Sequence, residues 1–110
     1  MTWLLEAEDT LNHAVEPGPA LDVLKNQFHE HEAFLLELSG HQDGVGAVLE
    51  EGERLLTEPG LQKDEEHEVR VQMSLLNSRW ENLRKRALDR QSQIHQVCIL
   101  ILFVEFILHD

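Results

Sequence analysis

The sequence predicts an all-α fold, an antiparallel left-handed three-helix bundle whose first helix is incomplete. Two observations support this prediction. Apolar residues recur three and four positions apart over long stretches, which is the spacing of a helix that buries one stripe of its surface. Two Pro/Gly breaks, EPGPA at 16–20 and TEPGL at 57–61, divide the chain into three such stretches. Amphipathic helices joined by short breaks pack side by side, up-down-up.

The three predicted helices cover about residues 2–15, 20–57 and 63–97. Gly18 and Pro19 suit the N-cap and first position of the second helix, and the acidic run at 64–66 suits the start of the third. We expect a bend or local fraying in the second helix at its glycine-rich centre, since each glycine costs roughly 1 kcal/mol relative to alanine. Its heptad positions are Leu21, Leu24, Phe28, His31, Leu35, Leu38, Gln42, Val45, Leu49, Gly52 and Leu56.

The first helix is much shorter than the second, roughly 22 Å against 58 Å at 1.5 Å per residue. It therefore covers only part of the bundle. Residues 45–56 and 69–76 are left facing each other with no third helix over them. This mismatch predicts a chain truncated at its N-terminus, and a core centred on the two tryptophans. The predicted core residues are Trp3, Leu21, Leu24, Phe28, Leu35, Leu38, Leu76, Trp80 and Leu83.

A basic cluster lies in the third helix of an otherwise acidic chain. The formal net charge is −12, which argues against nucleic acid as a partner. The cluster favours either a macrodipole arrangement, with acid at the start of the helix and base near its end, or a contact face for an acidic partner. Its members are Arg79, Arg84, Lys85, Arg86 and Arg90.

Residues that might suggest chemistry favour structural roles instead. His29 and His31 are two positions apart on a helix and point to different faces, so we predict no metal site. Cys98 and His95 lack an orienting third group and a concave site. We therefore predict no enzyme activity, no catalytic residue and no cofactor. Cys98 is the only cysteine, which favours an intracellular setting.

The stretches WLLEAEDTL, VLKNQFHEHEAFLLELSGHQDGVGAVL, DEEHEVRVQMSLLNSRWENLR and RQSQIHQV resemble a spectrin repeat, and most closely the first rod repeat of the dystrophin and utrophin family. The resemblance covers residues 2 to about 97. It implies an elastic spacer in a cytoskeletal linker that joins cortical actin to a membrane glycoprotein complex, at the inner, cytoplasmic face of the plasma membrane. Its implied partners are adjacent repeats, actin and that complex.

The resemblance stops where an apolar tail begins, and residues 98–110 are predicted to be foreign to the repeat. The apolar run at 97–108 holds one charged residue, Glu105. It spans roughly 18 Å, short of a hydrocarbon core near 30 Å, so we predict that it does not cross a bilayer. Two alternatives to the spacer stay open. In the first alternative, the tail and the basic face bind a lipid surface. In the second, the tail of a neighbouring molecule fills the uncovered groove.

Overall fold

A computed structural model describes residues 2–15, 17 and 20–108, and it confirms the predicted three-helix bundle. The helices are α1 at Thr2–Asn12, α2 at Leu21–Leu56 and α3 at Lys63–Leu108. The described residues contain no strand. The molecule measures 75 × 20 × 16 Å, so it is a rod.

Helix α1 ends at Asn12, three residues before the predicted end at Val15. Asparagine and histidine are weak helix formers, and the turn after Asn12 closes with the Ala14 amide donating to the Leu11 carbonyl at 3.3 Å. The side chain of Asn12 is engaged by α3 instead, as described below. The expected first helix is therefore shorter still, at 11 residues.

Helix α2 begins after Ala20, whose extended backbone at φ −85° and ψ 135° makes it the N-cap. The predicted cap residues Gly18 and Pro19 lie outside the described residues. The helix continues through Gly40, Gly44 and Gly46 without interruption, so the expected fraying is not observed. A Cβ at any of these three glycines would have no heavy atom of another part of the protein within 4 Å.

Helix α3 starts with Asp64, Glu65 and Glu66 in its first turn and runs 46 residues to Leu108. The predicted end at Val97 is wrong as a helix boundary. No glycine or proline follows Gly60 in the sequence, so nothing in the chain interrupts the helix where its composition turns apolar. The apolar run extends the third helix instead of forming a separate element.

The core follows the heptad positions of α2 and α3, but unequally. On α2 the buried residues recur every seven positions, at Leu24, His31, Leu38, Val45 and Gly52. The alternate heptad positions are only half-buried or exposed, because α1 runs beside α2 for only part of its length. The buried residues of α3 are Trp80, Leu83, Ala87 and Ile94.

Candidate functional site

The centre of the bundle is built around Trp80, which is 5% exposed. Trp3 of α1 stacks on His41 of α2 with ring centroids 3.9 Å apart and meets Trp80 at 6.2 Å. One aromatic cluster therefore joins all three helices. The buried part of this core contains Leu4, Ala7, Leu38, Val45, Trp80, Leu83 and Ala87.

The predicted core residues fall into two groups. Leu24, Leu38, Trp80 and Leu83 are buried. Trp3, Leu35 and Leu76 are half-buried and pack against the core. Leu21 and Phe28 are also half-buried, near the start of α2.

His31 is the polar residue inside the core. Its Nε2 lies 2.7 Å from the Ala87 carbonyl, and because a carbonyl only accepts, Nε2 carries the proton and donates. The ring also stacks on Phe34 at 5.7 Å. Burial lowers the pKa of His31 below its usual value, with Arg90 adding to the shift and the Ala87 hydrogen bond opposing it. The neutral ring therefore links α2 to α3 through this hydrogen bond.

Three arginines of α3 hold α1 in place. The Arg79 guanidinium donates to both carboxylate oxygens of Glu8. Further along, Arg86 donates to the Asn12 side chain at 2.7 Å. Arg90 donates to the Val15 carbonyl at 2.8 Å, beyond the end of α1. Together these contacts fix the second half of α1 and the segment that follows it.

The residues of the predicted basic face therefore have different roles. Three of its five members contact α1 or the segment that follows it. Arg84 pairs with Glu81 on its own helix at 3.2 Å, and Lys85 is exposed. The macrodipole interpretation holds for the acidic residues in the first turn of α3 and is wrong for the basic cluster. Helix α3 runs to Leu108 and its last turn holds no basic residue, whereas the dipole acts only within that turn.

Sequence reasoning missed this role, although a signal for it exists. Arg79, Arg86 and Arg90 are seven and four positions apart, so they share one stripe of α3. Glu8 and Asn12 are four apart and share one stripe of α1. Matching the two stripes in register would have predicted that the arginines bind α1.

An open groove lies beyond the start of α1, between the second half of α2 and the first part of α3. Its volume is about 550 Å³. Apolar side chains form most of its wall, and Leu4 of α1 closes one end. The residues on α2 are Val48, Leu49, Glu51, Gly52 and Leu55, and those on α3 are Glu68, Val69, Gln72, Met73, Leu75, Leu76 and Arg79. This is the region that the length argument left uncovered.

The described part of the tail, residues 98–108, is helical and exposed on nearly every side. Its large side chains, from Ile99 to Leu108, are 49–80% exposed, with Ile101 the half-buried exception. By length and composition, α3 contains a window of 18 residues apolar enough to cross a membrane, 6% of it buried. The apolar run at 97–108 is only 12 residues long and includes Glu105, so this window extends into the polar residues before Val97.

The residues that suggested chemistry form no metal cluster in the described part of the structure and differ in their exposure. Within the described ranges, no group of three or more histidine, cysteine or acidic residues is placed to hold a metal ion. His29 is exposed whereas His31 is buried. Cys98 is half-buried beside the exposed His95.

A narrow rod of three helices, packed through heptad positions and tied by polar contacts between helices, defines a helical structural module. The spectrin repeat family model matches residues 1–96. The chain belongs to the spectrin repeat family, as its sequence predicted. That membership makes it a cytoskeletal structural module.

Within the spectrin repeat family, the chain is similar to utrophin and to dystrophins. The chain is 45% identical to utrophin of Rattus norvegicus over 95 residues and 46% identical to dystrophin isoforms A/C/F/G/H of Drosophila melanogaster over 99 residues. It is 36% identical to dystrophin-1 of Caenorhabditis elegans over 97 residues. The first two alignments cover 86% of the chain and the third covers 87%. The chain spans only about 3% of the length of each relative.

Proposed function

We propose that this chain is a non-enzymatic structural and interaction module, an elastic rod spacer. The observation that carries the proposal is the packing of α2 against α3 along the 36 residues of α2, about 54 Å of helix, with a buried residue at every seventh position from Leu24 to Gly52. Helices packed along their length resist stretching until the core opens, and they can close again because the contacts are local along the rod.

In a longer protein, the module would occupy the position of the first rod repeat of a cytoskeletal linker between cortical actin and a membrane glycoprotein complex. Its partners there are adjacent spectrin-like repeats, and through the parent the actin cytoskeleton and that complex. Its location is the cytoplasmic side of the plasma membrane. The similarity to utrophin and the dystrophins supports this assignment.

Pulling on single molecules tests the spacer function. Thr2 and Leu108 lie about 50 Å apart in the fold, judged from the pairing of α1 with α3 and 1.5 Å per residue. The same residues are about 370 Å apart when the chain is fully extended. We expect a stepwise gain of about 320 Å and recovery of the fold on relaxation. Extension without a step, or failure to refold, would refute an elastic spacer.

Association with a lipid surface is a second candidate, favoured by the exposed tail and by the apolar window of α3. Vesicle co-sedimentation of the whole chain and of a Phe103→Glu/Phe106→Glu variant tests it. Loss of binding in the variant supports tail insertion. Equal binding of both forms rejects it, and the net charge of −12 predicts weaker binding to anionic vesicles than to neutral ones.

A further inference from the structure

Two apolar surfaces of this chain lack a covering partner within the described fold, and they lie at opposite ends. One is the open groove between α2 and α3, and the other is the tail at the end of α3. Apolar patches of this kind mark sites of association. The groove is open to an occupant of matching length, direction and charge.

The tail of the same molecule does not reach its own groove. The groove on α3 ends near Arg79, and the exposed tail begins at Ile99 on the same helix. Twenty residues of continuous α-helix separate them by about 30 Å. A contact between the two surfaces therefore joins different molecules.

The tail matches the groove in length and direction. On α3 the groove extends from Glu68 to Arg79 beside the stretch from Val48 to Leu55 on α2, about 17 Å of helix. The ten residues from Ile99 to Leu108 measure about 15 Å as a helix. The arginine contacts show that α1 runs parallel to α3. A tail that approaches along the rod axis therefore enters the groove in line with α1, which occupies the next part of the same trough.

Charge also favours this occupant. Among the charged residues on the groove wall, Glu51 pairs with Arg54, Arg79 pairs with Glu8, and Glu68 accepts a hydrogen bond from Gln72. The rod as a whole carries a net charge of −12, which repels an acidic helix or an anionic surface. The tail holds a single charge among its described residues, at Glu105, so it brings apolar surface with little repulsion.

We propose that the tail of one molecule lies in the open groove of a second copy, in line with the second copy's α1. The interface is heterologous, and an assembly of any size keeps one free groove at one end and one free tail at the other. The assembly is therefore an open head-to-tail chain that does not close. Salt strengthens it, because screening weakens repulsion between the acidic rods while the apolar contact is unaffected.

Sedimentation velocity of the full chain over a range of concentrations tests the proposal. The groove variant Val48→Glu/Leu55→Glu places two charges on the wall at side chains that are 48% and 38% exposed, so the fold tolerates them. The tail variant is Phe103→Glu/Phe106→Glu. The control Leu36→Glu/Leu88→Glu makes the same chemical change at exposed positions outside both surfaces. Circular dichroism verifies that each variant is folded. If the groove variant is not folded, Leu75→Glu replaces it, because the Leu75 side chain is 52% exposed.

We expect the wild type and the control to form species that grow with concentration, whereas the groove and tail variants stay monomeric. A mixture of the two variants provides the decisive result. One contributes an intact tail and the other an intact groove, so the mixture forms a dimer of twice 12.7 kDa and nothing larger.

Three results overturn the proposal. A wild type that stays monomeric at every concentration and salt level shows that the two surfaces do not associate. A groove variant that still associates as the wild type does shows that tails pack against each other. Variants that form no dimer when mixed show that tail and groove do not bind, and vesicle binding retained by the groove variant would then assign the tail to lipid.

Discussion

Replacing Trp80 by alanine tests the core that joins the three helices. Trp80 is 5% exposed and lies at the contact with Trp3. A tryptophan side chain buries roughly 150–250 Å², which is worth about 4–6 kcal/mol at 25 cal/mol per Å². This is an upper estimate, because alanine still buries part of that area and the unfolded chain already shields some of the tryptophan from water. We expect Trp80→Ala to lower the free energy of unfolding by about 3–5 kcal/mol.

Urea and thermal unfolding followed by far-UV circular dichroism measure this loss. A destabilisation of that size lowers the Tm by at least about 12 °C in a domain of this length. Leu88→Ala on the same helix is the control, because Leu88 is 53% exposed and its loss should stay within about 0.5 kcal/mol. A Trp80→Ala variant that melts with the control would refute the placement of Trp80 in the core, and Trp80→Phe provides an intermediate if the alanine variant does not fold.

Two further predictions use the same unfolding measurements. Gly44→Ala should raise the free energy of unfolding by about 0.5–1 kcal/mol, since its Cβ meets open space in a helix. The free energy of unfolding of Gly52→Ala should be at least about 1 kcal/mol lower than that of Gly44→Ala, because its Cβ would lie 2.7 Å from the Met73 sulfur. Equal effects would show that Met73 moves away freely. His31 has a lowered pKa in the fold, so the unfolded chain takes up its proton first as pH falls below about 6.5, and stability is lost as pH falls through the folded pKa. Urea titrations between pH 7.5 and 5 should therefore show a larger loss in the wild type than in His31→Gln, and equal losses would contradict this role.

The sequence predicted the fold because the strongest signals were long and periodic. The heptad spacing of α2 and the Pro/Gly breaks define three helices without reference to any partner. The uncovered groove followed from lengths alone, because 1.5 Å per residue fixes how far a helix of 11 residues extends along one of 36. His31 was placed in the core by register.

The remaining features depend on contacts between helices, which periodicity does not show. Asn12 ends α1 while its side chain binds Arg86, and the tie from His31 to the Ala87 carbonyl is a contact over 56 residues of sequence. Helix α3 continues beyond the predicted boundary at Val97 to Leu108, because the change of composition there is not a change of backbone structure. Composition changes which surface a helix offers, but only a breaker or a cap stops it.

The central claim is that α1 covers one half of the bundle and leaves the other half open. Amide hydrogen exchange at low protein concentration, where molecules do not associate, tests it most directly. We expect the slowest exchange around Leu38, Leu83 and Ala87, where all three helices meet, and clearly faster exchange at 48–55 and 69–76 along the groove. Equal protection along the whole of α2 and α3 would contradict the claim, because it would mean that α1 adds nothing to the stability of the half it covers.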